Sequence, residues 1–203
     1  VFQICFTDSN QGSRSAQYIN EHFPDAKIGI IYKNDEQYSI GIRDNFKAEA
    51  DARGMDIVYE GTFAEANQTD FNVQLTAAQS AGADLLFLPI YYTPASAILT
   101  QANALGYKPT FFGVDGMDGI LTAKNFDASL AEGVYLLTPF SADAEDEMTQ
   151  NFVTKYQEAY GETPNQFAAD AYDAIYTLYQ AIQAAGVTAD MATEDICDAL
   201  IEV

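Results

Sequence analysis

Apolar positions along this chain alternate between two rhythms. Short continuous runs, such as KIGIIY over Lys27–Tyr32 and DLLFLP over Asp84–Pro89, read as strands buried on both faces. Longer stretches between them place apolar residues at helical spacing. Ile42, Phe46 and Ala50 do so in a helix expected from about Ile40 to Arg53, entered through a loop NDEQYSIG and ended by Gly54. Val1–Phe6 reads as a short strand, and Asp8-Ser-Asn-Gln-Gly as the cap of a helix reaching His22. Asp56–Phe63 is a further strand, Asp70 caps a helix running to Ser80, and Pro94–Leu105 is a helix closing at Gly106. Thr110–Gly113 and Gly133–Thr138 complete the expected strands.

Up to about Phe140 the order is a run of β-α units. That order implies a parallel sheet with right-handed crossovers and helices on both faces, a three-layer α-β-α arrangement. After Ser141 the rhythm changes. Asp143–Tyr160, Asn165–Ala185 and Thr193–Ile201 are three helical patterns with no strand between them, which calls for sheet from elsewhere to pack against. The chain also begins directly on an apolar segment and stops in mid-pattern at Ala199-Leu-Ile-Glu-Val203, so it is expected to be a piece of a longer polypeptide.

Charge narrows the function classes. Nine basic residues against thirty acidic ones give a net charge of −21, which repels phosphate backbones and anionic membranes and argues against nucleic-acid binding. No apolar run reaches the roughly 18 residues of a membrane span. Cys5 and Cys197 make no disulfide framework, and Cys5 lies in an apolar run as a small core residue would. His22 is the single histidine and has no partner serine or cysteine, which argues against the usual nucleophile triads; beside Pro24 it suits a helix end. The acidic stretch Asp143–Glu147 lacks calcium-loop spacing and reads as the solvated first turn of a helix.

In open α/β sheets, ligands sit beyond the carboxyl ends of the strands. Tyr38, Tyr92, Asp115 and, from the helical segment, Phe167 fall where such a site is expected. Asp115 could meet an ammonium through a charge-assisted bond of about 1.5–3 kcal/mol, with Tyr38 and Tyr92 walling the ligand or lying over the cation. Each has a plainer reading. Asp115 in VDGMDG could be an Asx turn, and Phe167 could be core. Asp170 could be helix-face solvation, and of the neighbours Tyr91 and Tyr92 only one would face a given pocket.

The stretches VFQICFTDSNQG, KIGIIYKNDEQYSIGIRDNFKAEADARG, QTDFNVQLTAAQSAGADLLFLPIYYTPASAILTQANALGY, FFGVDGMDG, AEGVYLLTPF and FVTKYQEAYGETPNQFAADAYDAIYTLYQAI occur in an order and spacing that resembles the branched-chain amino-acid binding proteins of ABC importers. These are periplasmic-binding-protein type I receptors of the Leu/Ile/Val class, and the resemblance extends over essentially the whole chain. It implies a two-lobed α/β receptor closing on an amino acid, branched-chain or otherwise apolar, with no catalysis and no cofactor. Tyr38 and Tyr92 would be its aromatic contacts, Asp115 the carboxylate receiving the α-ammonium, where the family often has glutamate, and Phe167 the aromatic from the other lobe. Residues 1–140 would form the second lobe and 141–203 helices of the first, whose groups for the ligand carboxylate precede Val1. Weak or no binding by this chain alone follows. The implied partners are an amino-acid ligand and an ABC permease, outside the cytoplasmic membrane, either in a periplasm or lipid-tethered. The helix faces around Phe152–Tyr156 and Tyr172–Tyr179, lacking their sheet, leave room for pairing between chains.

Two other readings of the same residues remain. A flavodoxin-like enzyme or phosphoacceptor would use Asp115 and Asp118, but Phe6-Thr-Asp-Ser-Asn-Gln-Gly matches no phosphate loop. A sugar-responsive repressor core would share the two-lobed architecture.

Overall fold

Alternation within the apolar runs decides which helices cover which face of the sheet. In β1 (Lys27–Lys33), Ile28, Ile30 and Tyr32 point to one side and Ile31 to the other. In β3 (Leu85–Leu88), Leu85 and Phe87 share the first side, Leu86 and Leu88 the second, and all four are buried. The first side is covered by α1 (Asp8–His22) and α2 (Gln37–Arg53), through Ala16, Ile19, Ile42, Phe46 and Ala50. The second is covered by α3 (Asn72–Ser80) and α4 (Tyr92–Ala104), through Leu75, Ala78, Ala95, Ile98, Leu99 and Ala102. Together with β2 (Asp56–Phe63), β4 (Thr110–Gly113) and β5 (Tyr135–Leu136), the strands form one parallel sheet ordered β2-β1-β3-β4-β5. This is the expected three-layer α-β-α architecture.

The computed structural model describes residues 2–202 and divides into two compact units. The sheet unit is Phe6–Pro139; the other comprises residues 2–5 and 140–202. In the second unit, α5 (Glu147–Tyr160), α6 (Gln166–Ala185) and α7 (Thr193–Ile201) follow one another with no strand between them. A small core of Phe152, Val153 and Ala169, with Phe140, Tyr156 and Tyr172 packed on it, holds α5 to α6. Ile175, Tyr176, Leu178 and Tyr179 of α6 stand exposed.

Several boundaries differ from expectation. Residues 2–6 are irregular rather than strand, because a strand exists only as one rail of a ladder and no described strand lies beside them. Helix α2 begins at Gln37 rather than Ile40: Glu36 is its N-cap residue, and the buried Ser39 hydroxyl of its first turn accepts the Lys33 N–H at 2.9 Å, tying the helix start to the end of β1. Helix α4 begins at Tyr92, so Tyr92 belongs to a helix and not to a strand end. Strand β5 is only two residues long, and α5 starts at Glu147, where the Asp146 carboxylate accepts the Thr149 N–H at 2.9 Å. Gly54 closes α2 in the left-handed conformation as expected.

Helices α1 and α2 lie unusually close. A methyl group at Gly12 would stand 2.3 Å from the Ile42 carbonyl oxygen and 2.8 Å from the Phe46 nitrogen, so only glycine lets the two backbones meet there. Their N-terminal ends come to the carboxyl edge of the sheet.

Candidate functional site

The strand order sets the position of the crevice. From β1 the chain steps to one side to make β2, then returns to lay β3 on the other side of β1. The segments leaving β1 and β3 therefore diverge, and an open parallel sheet offers a ligand crevice at that point. Three groups converge there. Tyr38 is the second residue of α2, just after β1; Tyr91 precedes α4, after β3; and Asp115 opens a 3₁₀ turn, Asp115–Met117, after β4.

The Tyr38 hydroxyl donates to Asp115 Oδ1 and accepts the Gly116 N–H at 2.9 Å. The Tyr38 and Tyr91 rings stack with centroids 4.7 Å apart and 21° between planes. Space for this arrangement exists because residue 116 has no side chain. A Cβ there would stand 2.5 Å from Tyr38 Oη and 3.0 Å from the Tyr91 ring. Asp115 is 7% exposed. Its backbone N–H donates to Oε1 of the buried Gln11, from the first turn of α1, at 3.1 Å.

Negative charge dominates the electrostatics of the site. Burial, and then the Asp115 charge, push the Tyr38 hydroxyl well above the ordinary tyrosine range, so it stays a neutral donor. Tyr91 is raised by burial and then by the charges of Glu36, Asp115 and Asp8, with Lys33 opposing. Asp8, the first residue of α1, has its carboxyl raised by burial and then by Asp115. Lys33 is itself engaged by Glu65 and lies 3.9 Å from Glu36. The crevice thus presents an aromatic wall beside a sunken carboxylate in a negative field, which suits a cation carrying apolar bulk. Among the described residues, no group of three or more His, Cys, Asp or Glu side chains is arranged to hold a metal.

Of the residues singled out from sequence, Tyr38 and Asp115 come together. Tyr92 instead packs against the core on the α3–α4 side of the sheet, and its neighbour Tyr91 meets Tyr38. Phe167 lies in the first turn of α6, in the other unit, 39% exposed. Gln11 carried no sequence signal of its own beyond lying in a run of small residues at the start of a helix.

A family model described as periplasmic binding protein matches the chain over residues 1–203. The chain belongs to the periplasmic binding protein family. This is a family of binding proteins, not of enzymes. Among its curated relatives, the "Leu/Ile/Val-binding protein homolog 1" of Brucella suis is 30% identical over 192 residues, covering 92% of this chain and 49% of the relative. The homolog 1 of Brucella abortus is 28% identical over 189 residues, with the same coverage. The chain therefore spans about half the length of the curated relatives it matches. Among solved structures, the branched-chain amino acid transporter substrate binding protein of Streptococcus pneumoniae, in complex with isoleucine, superposes with a TM-score of 0.82 at 28% identity. That match covers 97% of this chain and 54% of the neighbour. A leucine binding protein from Thermotoga maritima gives a TM-score of 0.81 at 26% identity, covering 97% and 55%.

Proposed function

We propose that this chain supplies the ammonium-recognising part of an extracytoplasmic solute receptor that captures an amino acid for an ABC importer. The observation that carries the proposal is the sunken Asp115 carboxylate at the sheet's switch point, held by the Tyr38 hydroxyl and flanked by the stacked Tyr91 ring. A free ammonium next to a mostly desolvated carboxylate forms a charge-assisted bond, and two rings beside it favour an apolar or branched side chain. The isoleucine held by the Streptococcus pneumoniae neighbour and the leucine held by one from Desulfitobacterium hafniense support that ligand class.

In this reading Phe6–Pro139 act as one lobe and residues 2–5 with 140–202 belong to the other, which moves the first residues out of the lobe expected from sequence, with capture by closure of the two. Tyr38, Tyr91 and Asp115 contact the ligand. Phe167 and Tyr92 are assigned as contacts on the family likeness alone; Tyr92 packs against the core on the α3–α4 side of the sheet. The groups that hold the ligand's carboxylate, and the polypeptide covering Ile175, Tyr176 and Tyr179, are assigned to sequence outside this chain.

Calorimetric titration of the complete receptor with leucine, isoleucine and valine tests the proposal. Wild type should bind at least one of them. Asp115→Ala should cost about 2 kcal/mol or more, ~30-fold in Kd, with an unchanged circular dichroism spectrum. Unchanged affinity in Asp115→Ala would remove the assigned role, and silence of wild type toward all apolar amino acids would remove the ligand class.

A further inference from the structure

We infer that Gln11 is a positioning residue of the ligand site, holding Asp115 at the depth and angle from which its carboxylate can meet the ligand's ammonium. The inference rests on the reading of Asp115 given above and extends it to a helix that contributes no assigned ligand contact.

Glutamine belongs mostly on protein surfaces, and a buried primary amide is costly unless it is hydrogen-bonded. Gln11 is 1% exposed, on a helix face otherwise made of Gly12, Ser15, Ala16 and Ile19. Its side-chain oxygen reaches the Asp115 N–H across a separation of 104 residues. One residue further on, the Gly116 N–H is held by Tyr38 Oη. The two successive amides that open the 3₁₀ turn are therefore held by side chains from different helices, α1 and α2. The turn then closes on itself, with the Met117 N–H donating to the Val114 carbonyl at 2.9 Å and the Asp118 N–H to the Asp115 carbonyl at 2.9 Å.

The anchor is rigid because its base is rigid. Gly12, the next residue, seats α1 against the backbone of α2 at Ile42 and Phe46, so Gln11 projects from a helix with no room to shift toward α2. The first turn of α1 thus fixes the main chain of Asp115, while α2 fixes its carboxylate through the Tyr38 hydroxyl. Removing the first anchor takes away the hold of α1 on the Asp115 main chain and leaves the Tyr38 bond to its carboxylate in place.

The test uses the complete receptor and two substitutions, Gln11→Met, which keeps the length but loses the oxygen acceptor, and Gln11→Glu, which keeps an acceptor. Amide hydrogen exchange is read at Asp115 and Gly116, with Ile19 and Phe46 as references for general destabilisation, and the leucine Kd is measured alongside. In Gln11→Met, exchange at Asp115 should quicken roughly 3- to 10-fold beyond any change at Ile19 and Phe46, and the leucine Kd should rise by a similar factor. Gln11→Glu should keep Asp115 in slow exchange. Equal quickening at all four amides, or local quickening without loss of affinity, would overturn the positioning role. A wild-type receptor deaf to apolar amino acids would instead overturn the ligand reading, and exchange at Asp115 would still decide whether Gln11 holds that residue.

Discussion

A methyl group added at residue 116 tests the geometry of the site by pressing on Tyr38 and Tyr91 without replacing either side chain. In Gly116→Ala the new Cβ would stand 2.5 Å from Tyr38 Oη, 3.0 Å from the Tyr91 ring and 3.2 Å from the Ile90 carbonyl oxygen. The backbone at 116 is not in the left-handed region, so the cost is steric rather than conformational. The hydroxyl is the nearest neighbour and the end of a movable side chain, so it gives way first. Its displacement breaks the bond to Asp115, worth about 1.5–3 kcal/mol because one partner is charged, and strains the bond from the Gly116 N–H. With residual overpacking against Tyr91 and Ile90, the expected loss is about 3 kcal/mol. Tyr38→Phe removes the obstructing oxygen beforehand. In that background Gly116→Ala should cost only about 1 kcal/mol, leaving a coupling of roughly 2 kcal/mol in the double-mutant cycle. Urea unfolding followed by far-ultraviolet circular dichroism, read from the transition that carries the sheet unit, supplies the four stabilities. Equal costs of Gly116→Ala in both backgrounds would refute the claim that the Tyr38 hydroxyl occupies the space glycine leaves open.

Further outcomes follow from the core and its hydrogen bonds. Gly12→Ala should destabilise by about 3 kcal/mol or more in urea, since its methyl meets backbone rather than a movable side chain. Phe87→Ala should cost about 3–5 kcal/mol, because Phe87 and Phe46 are both fully buried and stacked with centroids 4.0 Å apart. Tyr107 donates to the Ala83 carbonyl at 2.7 Å, and burial, followed by the Asp84 charge, pushes its hydroxyl up to about 12. The unfolded chain releases that proton first, so the stabilising contribution is complete below about pH 10 and is lost as pH rises toward about 12. The stability difference between wild type and Tyr107→Phe should therefore be constant below pH 10 and shrink above it; a difference that grows with pH would contradict the assignment.

The layered sheet was legible because buried parallel strands leave continuous apolar runs, as in Lys27–Tyr32 and Leu85–Leu88. That Asp115 would lie beside Tyr38 was legible for a related reason, since each follows a strand at the carboxyl edge of one parallel sheet. The choice between Tyr91 and Tyr92 went to the wrong neighbour as far as proximity to Tyr38 is concerned. The alternation rule presumes a strand, whereas Tyr92 already belongs to α4 and turns toward the core. The early start of α2 was hidden by Gly41, which resembles loop punctuation but lies inside the helix, where a side chain would come only into ordinary contact with Asp8. Val1–Phe6 has strand composition, yet composition does not supply the neighbouring rail; Val1 itself lies outside the described residues. Gln11 was invisible because a polar residue in the first turn of a helix is ordinarily a solvated one, and only its distant partner shows otherwise.

The long loops that close the crevice have a kinetic consequence. Its defining bonds join Gln11 to Asp115 across 104 residues and Tyr38 to Asp115 across 77, whereas the α1–β1–α2 region is built from nearby chain. Contacts that enclose so much polypeptide gain nothing until the loop entropy has been met, so they form after the folding nucleus rather than within it. Perturbing Gln11 or Asp115 should accordingly leave the refolding rate almost unchanged and show up as faster unfolding. The ability to recognise a ligand would then be the last property acquired as the sheet unit folds.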